Sequence, residues 1–89
     1  MQVTVDEVKT IFKQLIEESI SREEAAQWAL IRMQANDNDQ LDLSENEDMQ
    51  IWDSILYFSC VDLKEKPDEY LHIKYDFIQE FFKIWGEQV

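Results

Sequence analysis

One glycine, Gly86, and one proline, Pro67, punctuate the whole of this 89-residue chain. Tight hairpins depend on residues that accept a positive φ, glycine above all. A chain this poor in glycine has few places to reverse sharply, so long helices are favoured over a hairpin-rich β fold. The length suits one domain spanning 1–89. The expected fold class is all-α, a compact bundle of about four helices.

The apolar spacing supports this expectation. Val8, Ile11, Phe12, Leu15 and Ile16 recur at three and four residues, which predicts a helix over 6–18 with one buried face. Thr4 and Glu7 offer a capping box ahead of it. Ser21-Arg22-Glu23-Glu24 has the S-x-x-E form and opens a second helix over 22–35, with Ala25, Trp28 and Ala29 on one face. Asn36 to Leu43 is turn chemistry. Ser44-Glu45-Asn46-Glu47 reads as another capping box for a third helix over 45–60. Met49, Ile51, Trp52, Ile55, Leu56 and Phe58 make that helix the one expected to be most buried. Pro67 interrupts 61–74, where Tyr70-Leu71-His72-Ile73 fits either an extended segment or a short helical turn. Phe77, Ile78, Phe81, Phe82 and Trp85 predict a fourth helix over 75–87 with a wide aromatic face. Trp28, Trp52, Phe81 and Trp85 are expected to share the core.

The chain is acidic, with a net charge of −12, yet 45% of it is hydrophobic and 12% aromatic, which argues against disorder. Residues 37–53 carry seven acids and no base. Over half of the excess negative charge therefore lies in one short stretch. Such a field repels nucleic acid and anionic membranes and attracts a basic partner. Asp37, Asp39, Asp42, Glu45, Glu47 and Asp48 are the candidate partner-binding residues. No apolar run approaches the ~18 residues of a membrane span, and the N-terminal residues lack the pattern of a secretory leader. Cys60, the single cysteine, cannot form an internal disulfide, which suits a reducing, cytoplasmic setting.

Several motifs invite a chemical reading and fall short of it. An EF-hand loop begun at Asp37 would have Asp39 in place, but Leu41 where a ligand is needed and Asp42 where glycine is needed. Cys60 and His72, the only histidine, cannot furnish a four-ligand zinc site without carboxylates. Cys60 is expected to be a buried, inert thiol. Carboxylate pairs such as Glu17-Glu18 and Glu23-Glu24 show no spacing that defines a pocket, so solvated faces are expected. A single glycine rules out a glycine-rich phosphate loop. No catalytic residue, metal site or cofactor is expected.

Two stretches carry a resemblance. One is Ser21-Arg22-Glu23-Glu24-Ala25-Ala26-Gln27-Trp28-Ala29. The other is Asp62-Leu63-Lys64-Glu65-Lys66-Pro67-Asp68-Glu69-Tyr70-Leu71-His72, followed by Asp76-Phe77. With Ile51-Trp52 between them, they resemble a group of small acidic bacterial proteins of unassigned function. That likeness implies a bacterial, cytoplasmic origin and no particular activity. In size, acidity and expected bundle the chain is also similar in outline to the colicin nuclease immunity proteins, which bind basic toxins. The tyrosine pair of that family has no counterpart here beyond Tyr70.

The expected function is thus that of a non-catalytic interaction domain that binds or neutralises a basic protein, without nucleic acid or membrane as partner. The alternative is an oligomerisation or adaptor domain whose aromatic helix faces pair with a second copy, as a homodimer.

Overall fold

A computed structural model describes residues 1–43 and 46–87. Among them are four helices: α1 (Val5–Ile16), α2 (Arg22–Asp37), α3 (Asp48–Phe58) and α4 (Lys74–Trp85). There are also four short strands: β1 (Gln2–Val3), β2 (Asp42–Leu43), β3 (Lys64–Lys66) and β4 (Glu69–Tyr70).

The strands correct the all-α expectation. β1 and β2 pair in parallel, Gln2 with Asp42 and Val3 with Leu43, and α1 and α2 form the crossover between them. β3 and β4 pair antiparallel, Lys64 with Tyr70 and Lys66 with Glu69. Two-residue strands carry no readable alternation. The Lys-Glu-Lys sequence of β3 has little strand propensity and buries nothing, so neither hydrophobic period announces it. The reversal needs no glycine. Pro67 opens the two-residue connection, where its fixed φ suits a turn.

Helix ends follow local capping. The Thr4 hydroxyl accepts the Glu7 amide at 3.2 Å and starts α1. Ser21 and Glu24 form the full reciprocal box of α2, with bonds of 3.0 and 3.1 Å. At α4 the Asp76 carboxylate accepts the Ile73 amide at 2.8 Å. Gly86, at φ 68°, closes α4 in the left-handed conformation. Glu18 and Asp39 also adopt positive φ, at 62° and 54°. The chain therefore makes left-handed reversals with side-chain-bearing residues as well. The third expected capping box falls partly outside the described residues, and α3 begins at Asp48, three residues later than expected. Glu47 is the N-cap of α3 and makes no side-chain cap bond, while Ser44 and Glu45 lie outside the described residues.

α1 packs on α4, and α2 on α3. α1 buries Val8, Phe12, Leu15 and Ile16. α2 approaches closely through Ala25, Ala26, Ala29 and Ala35. The centre is phenylalanine. Phe12 meets Phe58 edge-on at 4.6 Å and Phe81 at 5.3 Å between ring centroids. The tryptophans ring this core. Trp28, Trp52 and Trp85 are half-buried against it, whereas Phe81 is fully buried. α3 buries Ile51, Ser54, Ile55 and Phe58 but leaves Met49 72% and Leu56 38% exposed, so it is not shielded on all sides. Cys60 is exposed, contrary to the expected buried thiol: the chain bends into a turn after Ser59 and carries it off the apolar face.

Candidate nucleic-acid interface

The β3–β4 hairpin projects as a two-stranded ribbon, and every residue from Leu63 to Glu69 is exposed. It is fixed at its base. The Leu71 amide donates to the Leu63 carbonyl at 2.9 Å, and Arg22 Nε donates to the His72 carbonyl at 3.2 Å. His72 packs edge-on against Tyr57 at 5.4 Å. The ribbon thus leans on the first turn of α2 and on the end of α3.

Tyr70 organises this end. The Arg22 guanidinium lies 4.4 Å, and Lys64 Nζ 5.2 Å, from the centre of its ring. The same guanidinium lies 5.2 Å from the Phe77 ring. The Tyr70 hydroxyl donates to Glu23 Oε2. That bond, reinforced by Lys64 and Arg22, holds the Glu23 carboxyl below its ordinary range. The same bond raises the Tyr70 hydroxyl. Lys66 stands on β3 and Lys74 opens α4 just beyond the ribbon, so four of the eight bases of the chain gather here.

Of the four remaining bases, Lys13 is exposed in the last turn of α1, and the other three are engaged elsewhere. Lys9 pairs with Glu87 at 2.7 Å and covers the Trp85 ring. Arg32 stacks 4.2 Å from the Trp28 ring. Lys83 lines a groove between α3 and α4 together with Asp53 and Glu80, a setting unsuited to a phosphate.

The expected acidic site lies at the other end. Asp37 ends α2, Asp39 follows in the turn, Asp42 sits on β2, Glu47 caps α3 and Asp48 begins it. Of the three acids expected in the first turn of α3, Asp48 is helical, Glu47 is the N-cap and Glu45 lies outside the described residues. α2 and α3 both run between this end and the ribbon. Their 16 and 11 residues span about 24 and 16 Å at 1.5 Å per residue. Among the described residues no three His, Cys, Asp or Glu side chains are arranged to hold a metal ion. None of the helices is long and apolar enough to cross a membrane.

Fold and surface together define a small helical domain that displays a cation-bearing β-ribbon away from an acidic end. A family model described as YxzC DNA-binding protein matches residues 3–85. The chain therefore belongs to the YxzC DNA-binding protein family. It is 31% identical over 75 residues to the uncharacterized protein YxzC of Bacillus subtilis (strain 168). That match covers 84% of this chain but only 56% of the relative, so the chain spans little more than half the relative's length. No solved structure matches it.

The family's description overturns two expectations: a basic protein as partner, and the absence of nucleic acid. The reading as a binder of basic protein gives way. Its physical error lies in extending the field of the base-free stretch 37–53 to the whole surface. Net charge sets the long-range field, whereas contact depends on local charge. The signal that could have found the ribbon is the K-x-K pair of Lys64 and Lys66 ahead of Pro67.

Proposed function

We propose that this domain binds duplex DNA, without catalysis, through the β3–β4 ribbon and the adjoining first turn of α2. The observation that carries the reading is the placement of bases: Lys64 and Lys66 on the ribbon, with Arg22 and Lys74 beside it, are four of the eight bases of the chain and share that end with Glu65, Asp68 and Glu69, whereas no base lies among Asp37, Asp39, Asp42, Glu47 and Asp48 at the other end of α2 and α3. The family's DNA-binding description supports it independently. A two-stranded ribbon has its strands about 5 Å apart, and the major groove, about 12 Å wide, admits such a ribbon. Lys64, Lys66 and Lys74 would meet phosphates and fix the register. The acidic end turns away from the duplex, since Asp37, Asp39, Asp42, Glu47 and Asp48 cannot lie against a phosphate backbone. Repulsion from that end leaves one orientation of approach. The setting is cytoplasmic.

Chemical-shift mapping with a short duplex tests this reading. Amide shifts should move over 62–75 and near Arg22 and stay fixed over 37–43. Shifts concentrated over 37–43 would refute it.

A further inference from the structure

We propose that Arg22, Lys64 and the Tyr70 hydroxyl form a subsite for one phosphodiester group of bound DNA, and that Glu23 holds the Tyr70 hydroxyl in the free protein until that phosphate replaces it. The inference rests on the DNA-binding reading above and deepens it by naming a contact and its competitor.

The cluster has the composition of a phosphate site. Two cations lie 4.4 and 5.2 Å from the centre of one phenol ring, and the hydroxyl of that ring is a hydrogen-bond donor. Arg22 uses only its Nε, on the His72 carbonyl, and its terminal nitrogens make no hydrogen bond among the described residues. Neither Arg22 nor Lys64 forms an ion pair among the described residues, where Lys9 and Glu87 do. Two cations therefore lie beside one aromatic ring, with the terminal nitrogens of Arg22 and the Nζ of Lys64 making no hydrogen bond among the described residues. A guanidinium so fixed is suited to an oxyanion, because little rotamer freedom remains to be lost.

Glu23 completes the argument. It stands beside Arg22 in the first turn of α2, is exposed, and takes the Tyr70 hydroxyl as its partner. A carboxylate and a phosphodiester are both singly charged oxygen acceptors, so one can exchange for the other at the hydroxyl without leaving a donor unpaired. Displaced, the carboxylate returns to water at little cost because it is already exposed. Its negative charge also opposes an approaching phosphate. Glu23 is a positioning residue that sets the threshold for binding.

The test compares duplex affinity by fluorescence anisotropy in wild type, Glu23→Ala, Glu65→Ala, Tyr70→Phe, the Glu23→Ala/Tyr70→Phe double variant and Lys64→Gln. Glu65 stands on the ribbon and controls for the loss of one negative charge. Glu23→Ala should bind about three- to tenfold more tightly than Glu65→Ala, the net worth of one exposed hydrogen bond that no longer has to be broken. That excess should vanish in the Tyr70→Phe background, and Lys64→Gln should weaken binding. Equal gains from Glu23→Ala and Glu65→Ala, with Lys64→Gln still weakening, would overturn the subsite and leave the DNA reading standing. No duplex binding by any of the proteins would overturn both.

Discussion

Arg22 donates its Nε hydrogen to the carbonyl oxygen of His72 at 3.2 Å, joining two positions 50 residues apart. This bond ties the ribbon to α2, and the same guanidinium rests on the Tyr70 and Phe77 rings. Arg22→Ala removes the bond and both ring contacts. It should destabilise the protein by about 1–3 kcal/mol in urea denaturation. Arg22→Lys should recover only part of that loss, because an ammonium cannot reproduce the planar stacking. Full recovery would reduce the contact to simple charge.

The core rests on phenylalanine, and mutational costs should follow. Phe58 is fully buried and meets Phe12 and Trp28 edge-on. Phe58→Ala should cost about 3–5 kcal/mol. Trp52, half-buried, should cost less when truncated the same way. A reversed order in equilibrium unfolding would place the centre of the core elsewhere.

Tyr57 carries a buried hydroxyl without a hydrogen-bond partner among the described residues. Burial pushes its phenol well above the ordinary 10.0, helped by Glu80 and Asp76. The folded state thus favours the protonated form. The stability linked to this group is fully present below the unfolded pKa of 10.0 and is lost as pH rises above it. Stability should fall above pH 10 in wild type and fall less steeply in Tyr57→Phe. At neutral pH Tyr57→Phe should be as stable as wild type or more so, since it removes an unsatisfied polar atom.

Glu18 occupies the left-handed region at φ 62°, just past the end of α1. A side chain there costs about 1–2 kcal/mol relative to the right-handed conformation. Glu18→Gly relieves it and should raise stability by about 0.5–1 kcal/mol in thermal or urea unfolding, after the added unfolded-state freedom of glycine. A loss of stability would show that Glu18 makes a compensating contact.

The helical half of this protein was legible because its signals are local and repeated. The stripe of Val8, Phe12, Leu15 and Ile16 and the Ser21–Glu24 box each state their outcome within a few residues. The sheets were not legible. β1 meets β2 across two helices, a pairing set by tertiary contact, and β3 is an exposed charged strand stabilised by its partner and by Arg22. Scarcity of glycine misled in the same way: Pro67 and a short connection suffice to turn the ribbon, and Glu18 and Asp39 turn two helix ends. The acidic stretch was visible as a string of letters, but its position opposite the ribbon follows only from the directions of α2 and α3. Tyr70 gave no sign of Arg22, which lies 48 positions away along the chain.

The central claim is that the ribbon lysines contact DNA phosphates, and salt dependence measures this most directly. Each phosphate neutralised contributes about 0.9 to the slope of log affinity against log salt. Duplex affinity should be followed across a salt series for wild type and for Lys64→Gln/Lys66→Gln. The account predicts weaker binding by the double variant and a slope shallower by about 2. Wild-type binding whose affinity and slope are unaltered by loss of both lysines would contradict it.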